Sequence, residues 1–228
     1  MDSKKLDIFL IYQRLFDHFG HQGWWPVYFG GDPRLEICIG AILTQNTAWT
    51  NVEIALINLD RQHLLTVEKL LAADLETIGQ AVRSAGYFHQ KAKKINQFVR
   101  FIAGEGGFDS LFRLPVRPLR AKLLEVWGIG RETADSMILY AAKKPIFVVD
   151  TYTKRLLSCF QIEFQNYDEY RIFFEHNLPR RAALWNEYHA LIVAWGKLQA
   201  KNQDQARQII NVKRRVSTTR RFKVRQLS

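Results

Sequence analysis

The chain has 228 residues, 47% of them hydrophobic, with six tryptophans and a net charge of +11. This composition describes a folded protein and excludes a disordered one, and no apolar run approaches the ~20 residues that span a membrane. The charge is uneven: eight Lys or Arg and no acid follow Asp204, which leaves +3 for residues 1–204.

The first residues, Met1 to Lys5, lead into an amphipathic segment and do not read as a signal peptide. Ile8, Ile11, Leu15 and Phe19, spaced three and four apart with Gly20 as a stop, predict a helix. Gly23-Trp24-Trp25-Pro26 follows, too aromatic for a plain linker. Pro33 opens a second helix through Leu43, which runs into Thr44-Gln45-Asn46-Thr47 and Trp49. Helical stripes recur at Val52 to Leu59, Val67 to Leu71 and Leu75 to Ala85. A longer one at Ala92 to Ile102 has Lys91, Lys93, Lys94 and Arg100 on its expected outer face. Helices are predicted on both sides of Trp127-Gly128-Ile129-Gly130, and then around 151–160, 168–178 and 181–200. Only Ile146–Val149 has strand composition, too short to found a sheet, so the fold class is all-α. From about residue 205 a basic tail, Lys213-Arg214-Arg215 to Arg225, suits phosphate neutralisation or plain solvation.

Two features carry chemistry. The glycine hairpin between helices allows close backbone approach, and the next helix N-terminus favours a phosphate. Asp150 is a lone acid at the end of an apolar run, a candidate catalytic carboxylate; it also reads as the N-cap of a helix from Thr151, and the two roles are compatible. Cys38 and Cys159 sit in apolar surroundings and are expected as buried free thiols in a reducing compartment, hence a cytoplasmic, nucleoid-associated protein. The six histidines, His189 among them, are scattered without ligand spacing, so no catalytic metal is expected and they are read as surface or supporting residues. Asp135 and Asp168 read as ordinary helix acids.

Leu123–Ala134, the 18 residues from Glu132 to Asp150, and Val148-Val149-Asp150-Thr151 together resemble the helix-hairpin-helix glycosylase superfamily, whose best-known member is endonuclease III. Gly40 to Thr47 and Gly86-Tyr87-Phe88 with Lys91-Ala92 agree, and the resemblance spans roughly residues 30–200. It implies two helical lobes with the active-site cleft between them. One is contiguous, residues 30–143, and ends in the helix-hairpin-helix at about 119–142; the other joins 1–29 to 144–228.

Departures from the family refine what is implied. Where bifunctional members place a Schiff-base lysine this chain has Glu132, which cannot form an imine, so base removal without strand cleavage is expected; nothing in the motif puts Lys143 or Lys144 in its place. The four-cysteine run of an iron–sulfur cluster is missing. Both, with Trp24-Trp25-Pro26, resemble the 3-methyladenine glycosylases of the endonuclease III type. That implies a monomer acting on double-stranded DNA with a damaged base. No cofactor is required; hairpin carbonyls near Trp127 are a candidate site for sodium or potassium. Asp150 would be catalytic. Trp24, Trp25, Pro26, Trp49 and Glu132 would border the base pocket. Gln45 would fill the gap left by a flipped base, and Trp127, Gly128, Ile129, Gly130, Arg131, Thr133 and Lys91 would contact DNA. Each tryptophan also reads as core, Gln45 as a solvated helix end and Glu132 as a surface acid. Rival functions are a glycosylase with lyase activity on oxidised, deaminated or mispaired bases, and a non-catalytic module that only grips nucleic acid.

Overall fold

The computed structural model describes residues 6–210, which form thirteen α-helices and no strand. In chain order these are α1 (Ile8–Phe19), α2 (Pro33–Leu43), α3 (Trp49–Arg61), α4 (Val67–Ala72), α5 (Leu75–Ala81), α6 (Phe88–Gly104) and α7 (Phe108–Leu111). They continue with α8 (Val116–Glu125), α9 (Arg131–Ser136), α10 (Thr151–Ser158), α11 (Tyr167–Asn177), α12 (Ala182–Lys201) and α13 (Gln203–Ile210). The all-α expectation holds. No helix among the described residues is long and apolar enough to cross a membrane.

The chain divides into a contiguous unit, Trp25–Lys144, and a second that joins the segment ending at Trp24 to the one starting at Pro145. The contiguous unit begins at Trp25 and not at residue 30, because the Trp25 ring packs on Gly40 of α2. Its centre is α2. Asp32 caps the helix by accepting from Arg34 N at 2.9 Å, and Pro33 supplies a first-turn residue with preset φ. Every residue from Leu35 to Leu43 is buried, as an interior helix requires, and α3, α6 and α9 pack around it. The second half of the hairpin motif continues from α9 into a π-helical turn, Met137–Ala141, closed by Ala142 N donating to Met137 O at 3.0 Å. Asp135 is not an ordinary helix acid: it is fully buried, and Arg120 of α8 donates to both its oxygens, at 2.7 and 3.2 Å. That pair locks α8 to α9 across the hairpin.

In the discontinuous unit α12 is the enclosed helix, with Trp185, Tyr188, Leu191, Ile192 and Trp195 buried, and α1, α10 and α13 lie against it. The Tyr188 hydroxyl donates to Ile8 O at 2.8 Å and Trp195 Nε1 to Ala206 O at 2.9 Å. The basic tail therefore starts later than residue 205: Ala206 and Ile210 are apolar anchors that hold α13 in the fold. The charges from Lys213 to Arg225 lie outside the described residues. Ile146–Val149 is buried but makes no strand; Phe147 N donates to Glu175 Oε1 and Val149 N to the Tyr167 hydroxyl, so side chains satisfy this run. Cys38 is buried as expected and Cys159 only half-buried.

Helices α10 and α12 come closest at Gly196, where a Cβ would stand 2.1 Å from Tyr152 Cδ1. Gly196→Ala is expected to destabilise the protein by roughly 1–3 kcal/mol through overpacking, although Ala is the better helix former, and Tyr152→Ala should recover part of it in urea unfolding. Asp135→Ala, which leaves Arg120 without this anion, is expected to cost about 3–5 kcal/mol by the same measurement.

Candidate active site

Asp150 ends the buried apolar run and caps α10. Its Oδ1 accepts from Thr153 N at 2.7 Å and from Thr153 Oγ1 at 2.9 Å. The cap role read from the sequence is real, and it occupies one oxygen. Oδ2 points the other way, with His189 Nε2 of α12 at 3.7 Å, too long for a hydrogen bond. Only 14% of the Asp150 side chain and 9% of the His189 side chain are exposed. A carboxylate with one oxygen fixed and a little exposed surface can hold a negative charge in a defined direction.

The expected aromatic residues divide between the units. Trp25 and Trp49 come together in the contiguous one, ring centroids 5.2 Å apart and nearly perpendicular, and Tyr140 adds a third ring 5.2 Å from Trp25. Gly40 makes this possible: a Cβ there would be 2.8 Å from Trp25 Cζ2. The loop that follows Pro26 is held by Glu36, buried within α2, which accepts from Tyr28 N at 2.8 Å and Phe29 N at 3.2 Å. Burial pushes that carboxyl up while the two amides oppose it. Trp24 and Pro26 are half-buried, Trp24 at the end of the other unit's first segment, and Glu132 is exposed on the first turn of α9. Tyr140 escaped the sequence reading, because its place depends on the π-helical turn and not on a helical stripe.

At the hairpin Gly128 has φ +86° and lies under the Lys94 chain, so a side chain there meets both strain and contact. Ile129 is buried and plugs the turn into the core. Trp127 is 47% exposed with Lys93 Nζ 4.5 Å above its ring. No side-chain oxygen caps α9 at Gly130, and Arg131 is exposed beside it. Gln45 is drawn onto the hairpin: its amide donates to Gly128 O at 3.2 Å and to Thr133 Oγ1 at 3.0 Å, and Lys94 Nζ donates to its Oε1. Thr133 is buried where Gln45 meets it. A recess of about 240 Å³ opens beside the hairpin, lined by Gln45, Asn46, Tyr87, Gln90, Lys91, Lys94 and Trp127. Two of these, Asn46 at φ 54° and Tyr87 at φ 47°, hold left-handed backbone without being glycine, and Tyr87 is 75% exposed.

Lys91 corrects an expectation. It is 2% exposed, and its ammonium donates to Leu43 O at 2.7 Å and Ala85 O at 2.6 Å, carbonyls at the ends of α2 and of the 3-10 turn Arg83–Ala85. It binds the two loops of the recess together and does not offer its charge to a phosphate. Among the described residues no group of three or more His, Cys, Asp or Glu is placed to hold a metal.

Comparison with known proteins agrees with this geometry. The family model for the HhH-GPD superfamily base excision DNA repair protein matches residues 39–179. A protein of Methanocaldococcus jannaschii, provisionally named a DNA repair glycosylase, is 43% identical over 191 residues, which cover 82% of this chain and 85% of that one. Endonuclease III of Thermotoga maritima is 27% identical over 177 residues, 76% of this chain and 77% of its own. The crystal structure of H. pylori 3-methyladenine DNA glycosylase bound to 1,N6-ethenoadenine superposes with a TM-score of 0.73 at 27% identity, covering 85% of this chain and 99% of that chain.

Burial, and secondarily Lys94, push the Lys91 ammonium down to about 8, against 10.5 for an ordinary lysine. Below pH 8 folded and unfolded chains both hold the proton, and the folded one carries the full burial cost. Between about 8 and 10.5 the unfolded chain binds more protons, so the fold gains stability as pH rises. The unfolding free energy of the wild type relative to Lys91→Met is therefore expected to shift in the wild type's favour from about pH 7 to about pH 9.5 in urea titrations; a difference independent of pH contradicts the shifted ammonium.

Proposed function

Because the chain belongs to the HhH-GPD superfamily of base excision DNA repair proteins it is a DNA glycosylase, and we propose that it is a monofunctional one that releases alkylated purines, 3-methyladenine first. The observation that carries this reading is the state of Asp150: a single carboxylate, one oxygen fixed by Thr153 and the other directed away. As the C1′–N bond breaks, its electron pair stays with the purine and positive charge grows on the sugar. An ionised Asp150 stabilises that charge and orients the water, whose oxygen bonds to C1′ as its proton passes to the Asp150 carboxylate and on to solvent. A purine methylated on a ring nitrogen is already cationic and departs neutral without a second acid. One carboxylate is then sufficient.

The aromatic cluster supports the cationic base, since the half-buried rings of Trp25 and Trp49 would attract it by roughly 0.5–2 kcal/mol each, with the buried Tyr140 packed against Trp25. Similarity to the H. pylori 3-methyladenine DNA glycosylase, solved bound to 1,N6-ethenoadenine, points the same way. DNA backbone is assigned to the uncapped turn at Gly130, with Trp127 and Arg131, and Gln45 would leave Gly128 and Thr133 to enter the duplex. In this reading no cofactor takes part, and the hairpin carbonyls near Trp127 would hold a sodium or potassium ion. The endonuclease III relative favours one alternative, base removal coupled to strand cleavage; Glu132, where the family's lysine would form the imine, argues against it.

Release of free base and incision at the abasic site are to be measured on methylated duplex DNA. The wild type is expected to release 3-methyladenine without cutting the strand, and Asp150→Asn to lose release by about 100-fold or more while still binding DNA. Trp49→Ala should lower release by about 10-fold. Strand cleavage trapped by borohydride overturns the monofunctional reading; binding without release of alkylated purines overturns the substrate.

A further inference from the structure

We propose that His189 is a positioning residue for Asp150: a buried imidazole that backs the outward oxygen of the carboxylate, keeping water from that side and leaving its charge undivided while the glycosidic bond breaks. The inference rests on the reading of Asp150 as the catalytic carboxylate. Its geometry is imposed by the fold. His189 and Gly196 are seven residues apart on α12, about two turns, and so share the face that packs on α10. Gly196 fixes that packing distance against Tyr152, and His189 Nε2 then lies 3.7 Å from Asp150 Oδ2. With Oδ1 held by Thr153, the carboxylate has no freedom to turn away.

At this distance the imidazole acts by bulk and by charge, not as a hydrogen-bond donor. Neutral, it leaves Asp150 fully negative; protonated, it offsets that charge just where the sugar needs it. Burial pushes His189 below the usual histidine range, and the Asp150 anion pulls it back up. Of the other charges nearby, Lys154 and Arg155 of α10 lie over the Tyr170 and Tyr152 rings. Glu187 receives His21 Nδ1 at 2.6 Å and Gln22 N at 2.7 Å, Arg14 of α1 donates to Ile210 O, and Arg207 of α13 acts on Cys159. Burial therefore favours the neutral imidazole, and protonation of His189 is expected to set the acid limb of base release.

The test uses the full chain, methylated duplex DNA, and the variants His189→Gln, His189→Leu and Asp150→Asn. In single-turnover release the acid limb of both His189 variants is expected to fall by roughly one pH unit or more. The rate at neutral pH should drop about 10-fold in His189→Leu and less in His189→Gln, whose polar end rescues part of the contact, with DNA affinity unchanged. By NMR the His189 imidazole is expected to titrate roughly one unit lower in Asp150→Asn, because the anion that raises it is gone. Acid limbs that superimpose on the wild type, or a His189 titration unmoved by Asp150→Asn, overturn the proposal. If His189→Leu does not fold, the Gln variant and the titration decide. A folded wild type that releases no base counts against the substrate reading, and the imidazole titration then decides the pairing by itself.

Discussion

The close approach of α10 to α12 at Gly196 is the constraint on which the proposed chemistry depends. Tyr152 occupies the space that any other residue at 196 would claim. Two turns away, the same helix face brings His189 to Asp150, and the first turn of α10 returns Thr153 N and Oγ1 to the other carboxylate oxygen. A helix cap is normally a modest contribution, about 1 kcal/mol. Here it also removes a rotational freedom from the carboxylate proposed to be catalytic. In that proposal stability and reactivity share an atom group, and the cost of misplacing it is felt in both.

A second close approach organises the contiguous unit. Gly40 admits the Trp25 ring against α2, and that ring in turn gathers Trp49 and Tyr140. Buried Glu36 fastens the loop beyond Pro26 through two backbone amides. Neither device depends on a strong interaction; each depends on a small residue or an acid placed inside an otherwise apolar helix. The hairpin adds a third anchor, the buried Arg120–Asp135 pair, so the glycine turn rides on two helices locked together.

Much of this was legible in the sequence because spacing is a strong signal. Three-and-four periodicity located α1, α6 and α12, Pro33 marked the start of α2, glycine pairs marked the hairpin, and an acid closing an apolar run marked Asp150. What was missed follows from the same logic. Lys91 sits in a run of lysines and reads as exposed, yet it meets two helix-end carbonyls that only the fold brings together. Tyr140 falls off the apolar stripe because a π-helical turn shifts the phase. Asp135 and His189 resemble any helix residue until Arg120 and Asp150 arrive from distant positions. Net charge hid α13, whose two apolar anchors are sparse among polar residues.

The central claim is that Asp150 acts through its negative charge on a positively charged sugar. It is tested most directly without turnover, by binding duplex DNA that carries a cationic pyrrolidine analogue of the abasic sugar or its neutral tetrahydrofuran counterpart. The wild type is predicted to prefer the cationic duplex by about tenfold or more, equivalent to about 1.4 kcal/mol, and Asp150→Asn to lose that preference while binding the neutral duplex as before. The same preference in both proteins would contradict the account.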